Sequence, residues 1–142
     1  MIVDLFKDKL INSTSATFSW EEDEDSSEDC ACLSTICFCD LYKNRFEVYV
    51  YFESDGGLTV DFVLVGIEKC EAILKLVNHF NRQVSPLKAF LAEKRGLYNL
   101  YIRREVIAPS EEKAVEEVLS AFESLESPET ERYLEPLDVI AG

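Results

Sequence analysis

The sequence has 142 residues, a length that predicts a single domain spanning residues 1–142. Its hydrophobic content of 47%, together with 30% charged residues, is typical of a folded globular protein. The net charge of −14 at pH 7 opposes binding to nucleic acid or to anionic membranes, because both attractions need a basic surface. The charged N-terminal segment and the short apolar runs are not typical of a signal peptide or a membrane span, so we expect a cytoplasmic protein.

The first half of the chain is predicted to form a helix followed by an antiparallel meander. Apolar residues recur at helical spacing over residues 1–11, which predicts an amphipathic helix. Residues 16–20 place alternate apolar side chains on one side and are predicted as the first strand. Further strands are predicted at 30–41, 44–52 and 58–65 from their alternation and their content of β-branched and aromatic residues.

The second half adds two helices and a hairpin. Helical spacing of apolar residues predicts a helix over 67–82, and a Lys-Arg-Gly turn joins predicted strands at 87–93 and 97–107. Ser110 is a helix-capping residue followed by two acids, which predicts a helix over 110–125. The order α-β-β-β-(β)-α-β-β-α predicts an α+β fold, in which helices pack on an antiparallel sheet of five or six strands.

Two segments lie outside these elements. Residues 21–29 contain seven acids in nine positions, and their mutual repulsion predicts a solvated acidic loop. The C-terminal tail, residues 127–142, carries several apolar residues that have two possible docking places, the domain itself or a second copy of the chain.

The titratable residues do not form a catalytic pattern. His79 is the single histidine, and it lies nine residues from Cys70 on the same predicted helix. That spacing puts the two side chains on opposite sides of the helix, so they cannot act as a base and a nucleophile. No glycine-rich phosphate loop is present either. We therefore expect a protein that is not an enzyme and that uses no cofactor.

A cluster of four cysteines offers an alternative function. Cys30, Cys32, Cys37 and Cys39 form a CxC…CxC pattern, and four thiolates suit a tetrahedral zinc site or redox chemistry. In a continuous strand the first pair faces one side and the second pair faces the other, which opposes a shared metal ion. The other interpretation is that these are reduced, small apolar residues of a cytoplasmic protein.

The surface candidates combine aromatic and basic residues. Alternation in strand 44–52 places Tyr49 and Tyr51 on the polar side of the sheet, and such tyrosines are typical of interfaces. A basic cluster around the hairpin suits an acidic partner segment or the acidic loop of a second subunit, unless it is only a solvated mixed surface: Arg82, Lys88, Lys94, Arg95, Arg103 and Arg104. The interface candidates are Tyr49, Tyr51, Arg82, Tyr101 and Arg103.

The second half also resembles a known family, the YbjN-like family of small bacterial proteins. The matching positions are residues 77–81 (VNHFN), 87–90 (LKAF) and 97–101 (LYNLY), together with Val115, Val118, Leu119 and Phe122. The two asparagines of the first segment, Asn78 and Asn81, stand where a helix ends, and we expect them to satisfy its last carbonyls or to adopt left-handed geometry.

The resemblance implies a fold like that of type III secretion chaperones and a homodimer that holds an extended partner segment without catalysis. We therefore expect a chaperone-like or regulatory protein-binding function. The partner segment would lie in an apolar groove lined by the helices at 67–82 and 110–125 and by the exposed side of the sheet.

Overall fold

The computed structural model describes residues 2–39, 44–83 and 86–140. In chain order the elements are α1 (Ile2–Thr14), β1 (Glu21–Glu22), β2 (Cys30–Cys39), β3 (Asn44–Glu53), β4 (Gly57–Ile67), α2 (Glu71–Phe80), β5 (Lys88–Lys94), β6 (Leu97–Ile107), α3 (Glu111–Leu125), α4 (Pro128–Leu134) and α5 (Leu137–Ile140). The strands form one six-stranded antiparallel sheet in the order β1-β2-β3-β4-β6-β5. The predicted α+β fold is confirmed.

Strict alternation in β3 and β4 gives the sheet its core side. Phe46 and Phe52 in β3 have no exposed surface, because every second side chain of the strand points into the core. The β3–β4 turn needs glycine at Gly56, whose φ is +97° and where a Cβ atom would lie 2.7 Å from the Ala108 carbonyl oxygen. The hairpin is thereby fixed in one register, with Phe52 opposite Leu58.

The helices cover only that side of the sheet. The Phe6 ring of α1 lies 4.7 Å from Phe52, and the Phe122 ring of α3 lies 5.2 Å from Phe62 in β4. Phe80 of α2 is fully buried in the same core. All three helices therefore use their apolar stripes against one side of the sheet.

The predicted strand at 16–20 is wrong. These residues form a turn and an irregular segment after α1, in which Thr17 and Phe18 both donate backbone hydrogen bonds to the Thr14 carbonyl. The Phe18 ring stacks on Phe122 at 4.5 Å, and the Trp20 indole donates to the Thr14 hydroxyl at 2.7 Å. The aromatic side chains thus cover the core instead of lining a strand. The first strand, β1, lies inside the predicted acidic loop.

The helix predicted from residue 67 begins later, at Glu71. Ile67 instead ends β4, where it pairs with Tyr98 across a register irregularity that follows Leu64. Gly66 has a φ of +77° within this irregularity, a conformation that glycine adopts without strain. Ile67 is buried by the sheet, so its apolar character fitted the helical spacing only by coincidence.

In the single chain the C-terminal tail packs on its own domain. Ser127 caps α4 by accepting a hydrogen bond from the backbone N–H of Thr130. Leu134 and Leu137 are fully buried, and the Tyr133 ring meets Phe80 of α2 edge-on at 6.3 Å. No helix in the described ranges is both long and apolar enough to cross a membrane.

Asn81 ends α2, but in a different way from the one predicted. Its φ of −74° is right-handed, so it does not adopt left-handed geometry. Its side-chain amide donates to the Ala89 carbonyl at 2.7 Å and accepts from the Ala89 N–H at 2.8 Å. Asn81 therefore ties the end of α2 to the backbone of β5.

Candidate binding surface

The second side of the sheet is covered by no helix in the described part of the chain. We call it the open face and define it by the side chains of β2 to β6 that point away from the core. Its central members are Glu47, Tyr49, Tyr51, Asp61, Val63, Phe90, Tyr101 and Arg103. These residues come from four strands, and the sheet register sets their spacing.

Two cross-strand rows organise the open face. In the first row Tyr49 pairs with Asp61, and Asp61 pairs with Arg103. In the second, Val63 pairs with Tyr101, and Tyr101 pairs with Phe90. The Phe90 and Tyr101 rings stack nearly parallel with centroids 4.9 Å apart. Directly opposed side chains of this kind stabilise a sheet and hold one another in place.

The first row contains an ion pair with a buried carboxylate, and its arginine also reaches the second row. The Arg103 guanidinium donates from Nε to Asp61 Oδ1 at 2.6 Å and from Nη2 to Oδ2 at 2.9 Å. The Asp61 side chain is only 4% exposed, whereas that of Arg103 is 34% exposed and lies over the Phe90 ring at 4.8 Å. The hydrogen bonds to Asp61 raise the pKa of Arg103 against the opposing effect of its burial. Such a two-point contact fixes both side chains.

Tyr49 and Tyr51 keep their phenolic protons at physiological pH. Burial, followed by the nearby Glu47 carboxylate, raises the pKa of Tyr49 to about 12, and its hydroxyl donates to Glu47 at 3.2 Å. Burial is also the main cause that raises the pKa of Tyr51, with Asp61 adding to it. Both phenols can therefore act as hydrogen-bond donors.

A groove crosses the open face in two adjoining parts. The larger cavity, of about 510 Å³, is lined by six of the eight central residues of the open face, all except Phe90 and Arg103, and by Lys94 and Arg95 at the hairpin end. A second cavity of about 410 Å³ extends over β2 beside Ile36. Glu47 and Tyr49 line both parts, so the groove runs across several strands.

The structure brings four of the five predicted interface candidates together. Tyr49, Tyr51, Tyr101 and Arg103 share the open face, but Arg82 lies in the turn after α2, on the helix-covered side. The predicted groove between the two long helices and the exposed sheet is wrong, because the helices pack on the opposite side of the sheet.

The predicted basic cluster is also divided by the sheet. Arg104 follows Arg103 in β6 and therefore points to the other side of the sheet, where it pairs with Glu117 of α3 at 2.9 Å. Lys94 and Arg95 remain at the hairpin end of the groove. The six basic residues therefore do not form one continuous strip.

Sequence reasoning missed Asp61 and Phe90 as members of this surface. The hairpin turn could have indicated Asp61, because its register places that residue opposite Tyr49. The predicted β5–β6 hairpin could likewise have indicated Phe90, because its register places that residue opposite Tyr101. Nothing local indicated the pair of Asp61 with Arg103, since β4 and β6 are neighbours in the sheet but not in the chain.

The cysteines do not converge on one site. Cys30 and Cys32 point to the open face with their sulfur atoms 3.5 Å apart, whereas Cys37 is buried in the core on the other side. The Cys39 side chain lies outside the described residues. Burial, and then the neighbouring Cys30, raises the pKa of Cys32 to about 12, which disfavours the thiolate that zinc or redox chemistry needs. No group of three or more metal-ligating side chains occurs among the described residues, so the zinc or redox alternative gains no support.

A cavity of about 470 Å³ lies on the helix side of the sheet, between α2 and α4. Its lining includes Leu76, His79 and Tyr133. Cys70 and His79 are both exposed, Cys70 before the first turn of α2 and His79 in its last turn. The cavity lies across the sheet from the open face.

These features define a small α+β protein with one helix-covered side and one open, aromatic side of its sheet. Among solved structures it is similar to the crystal structure of YbjN, a proposed transcription regulator from E. coli, with a TM-score of 0.63 and 13% sequence identity. The match covers 96% of this chain and 91% of that one, so the chain has a YbjN-like fold, as the resemblance predicted. No protein-family model and no curated protein sequence matches the chain.

Proposed function

We propose that this protein is a non-enzymatic binding protein, chaperone-like or regulatory, that holds an extended segment of a protein partner on the open face. The uncovered sheet surface with its row of aromatic side chains along a groove carries this proposal. A sheet that has no helix on one side exposes aromatic residues to water. Covering these residues with a partner removes apolar surface from water, which lowers the free energy of the complex.

The chemistry of the groove favours a protein segment as its occupant. Tyr49, Tyr51 and Tyr101 offer large, stiff surfaces that lose little conformational entropy on binding, and their hydroxyls can reach backbone carbonyls. The Asp61–Arg103 pair and the Phe90–Tyr101 stack hold the floor of the groove in one arrangement before the partner arrives. Such preorganisation lowers the cost of binding.

Charge limits the class of partner. A net charge of −14 repels the phosphates of DNA and RNA and favours a neutral or basic protein segment. YbjN is described as a proposed transcription regulator. If the present protein has a regulatory role, we expect it to act through a protein partner and not by direct contact with DNA.

We assign no catalytic role to the groove. Asp61 has both carboxylate oxygens engaged by Arg103, so it is poorly placed to take up a proton from a substrate. The single histidine, His79, lies on the helix side of the sheet and cannot reach the groove. The proposal also includes a cytoplasmic location and a homodimer.

The test begins with affinity capture from cells that naturally contain the protein. The tagged protein, a Tyr49→Ser/Tyr51→Ser variant and a Tyr133→Ser control would be compared, with captured proteins identified by mass spectrometry. Tyr133 is half-buried on the helix side, so the control removes a tyrosine without altering the open face. We expect a stoichiometric partner with the parent and the control, and its loss with the double variant.

Hydrogen exchange would then locate the contact. The purified partner should slow amide exchange in residues 47–51, 61–63 and 99–103 and leave α2 unchanged. Protection confined to the helices, or capture that persists in the double variant, would refute the assignment to the open face.

A further inference from the structure

The two ends of the groove on the open face carry opposite charges. The end over β1 and β2 is lined by Glu21 and by Glu47, which lies where the two cavities meet, and by no basic side chain of the described residues. The other end is lined by Lys94, the last residue of β5, and by Arg95 in the turn that follows. The Asp61 carboxylate between them is already neutralised by its ion pair. The groove therefore has an acidic end and a basic end.

The segment before β2 strengthens the acidic end. The Ser34 hydroxyl, which lines the groove, donates to Asp23 Oδ1 at 3.2 Å and so holds a third carboxylate beside this end. Arg45, the described base of β3, lies outside both cavities. A partner's basic side chain would therefore be attracted to this end of the groove.

The two bases at the other end keep their charge available. Glu93, their neighbour in the chain, is engaged by Lys69 at 2.6 Å. Lys94 and Arg95 are both exposed, and neither forms an ion pair within the described residues. Arg95 also has a left-handed φ of +54°, which asparagine or glycine adopts with less strain in a hairpin turn. An arginine held at such a position is explained by a role in binding.

The strand register sets the distance between the two ends. Glu21 pairs with Ser34, in the cross-strand row that reaches Arg103 of β6. Four strand spacings separate β1 from β6, and six residues along β6 separate Arg103 from Leu97, which pairs with Lys94. At about 4.8 Å per strand and about 3.3 Å per residue, the diagonal is about 28 Å. An extended chain of about eight residues spans this distance.

We propose that the groove takes an extended protein segment of about eight residues, with a basic side chain at one end and an acidic side chain at the other. The basic side chain lies beside Glu21 and Asp23, and the acidic one beside Lys94 and Arg95. Apolar or aromatic side chains between them pack on the tyrosines. This inference rests on the function proposed above and adds the length, charge pattern and orientation of the segment. Nucleic acid does not fit, because its phosphates would also meet the acidic end.

Selection from a random peptide library tests the charge pattern. Segments of about ten residues, long enough to span the groove, would be displayed between neutral linkers and selected on the immobilised full-length protein at low ionic strength. We expect enriched segments to carry Lys or Arg about seven positions from Asp or Glu, with apolar residues between them. Enriched segments without these paired charges would overturn the inference and leave the segment-binding function standing.

Charge reversal tests the basic end directly. Lys94→Glu/Arg95→Glu should weaken binding of the best enriched peptide about tenfold at low ionic strength, because two attractions become repulsions. Replacing the acidic residue of that peptide with lysine should restore its binding to this variant. Arg82→Glu/Arg132→Glu is the matched control, because it changes the net charge equally at exposed positions on the helix side. Fluorescence anisotropy should show a change of less than about twofold for the control.

The outcomes separate a wrong charge pattern from a wrong binding surface. Equal losses in the Lys94→Glu/Arg95→Glu variant and in the control, or no rescue by the lysine peptide, would refute the charge assignment alone. A library that yields no enriched segment would refute the segment-binding function as well. So would enriched peptides that bind the Tyr49→Ser/Tyr51→Ser variant as tightly as they bind the parent.

Discussion

The Asp61–Arg103 pair allows a quantitative test of how the open face is held together. Arg103→Met leaves the Asp61 carboxylate, whose side chain is 4% exposed, without its partner. Losing one member of a buried pair costs roughly 3–5 kcal/mol. Because Arg103 is one-third exposed and water can enter its place, we expect the lower end, about 3 kcal/mol. Asp61→Val removes the buried charge itself and leaves Arg103 near Glu105. This variant should therefore lower the free energy of unfolding by only about 1 kcal/mol.

Urea unfolding at pH 7 measures both changes as differences in the free energy of unfolding. The Asp61→Val/Arg103→Met double variant should lower the free energy of unfolding by about 2 kcal/mol. This loss is smaller than the sum of the two single losses by about 2 kcal/mol, which is the coupling energy between the two side chains. Arg104→Met is the control, because the Arg104–Glu117 pair is partly exposed and should contribute less than about 1 kcal/mol. Equal losses for Arg103→Met and Arg104→Met, or a coupling near zero, would refute the view that the buried carboxylate depends on Arg103.

Three further predictions follow from individual side chains. Because the pKa of Tyr49 is raised from 10.0 to about 12, the folded state keeps a proton that the unfolded state releases. The free energy of unfolding should therefore fall from pH 10 towards pH 12, and less steeply in Tyr49→Phe. Iodoacetamide at pH 8 should alkylate exposed Cys70 long before Cys32, as mass spectrometry of digests would show, because the pKa of Cys32 is about 12. Asn81→Ala should lower the free energy of unfolding by about 1–2 kcal/mol through its lost backbone contacts, whereas Asn78→Ala should change it little.

Local signals allowed much of the fold to be predicted from the sequence. β6 was predicted at its observed bounds, and α3 differs by one residue, because alternation and the Ser110 cap act within a few neighbouring positions. The strand predicted at 16–20 failed because alternating aromatic residues can equally cover a core, as Phe18 does against Phe122. The start of α2 was missed because Ile67 is buried by sheet pairing, which periodicity cannot distinguish from burial by a helix.

The candidate surface was predictable where one strand defines it and unpredictable where strands meet. Tyr49 and Tyr51 follow from the alternation of β3 alone. The ion pair of Asp61 with Arg103 depends on the placement of β6 beside β4, which are separated in the chain by α2 and β5. Arg82 lies apart from the other four candidates for the same reason, since nearness in sequence to the hairpin does not decide which side of the sheet a residue lies on.

The β5 edge of the sheet shows how a side chain can take the place of a neighbouring strand. There the amide of Asn81 donates to the Ala89 carbonyl and accepts from the Ala89 N–H, so another chain cannot pair with this residue without displacing Asn81. Asn81→Ala should therefore uncover both backbone groups and promote self-association through the β5 edge, which sedimentation at rising concentration would detect. A variant that sediments like the parent at every concentration would contradict this role of Asn81.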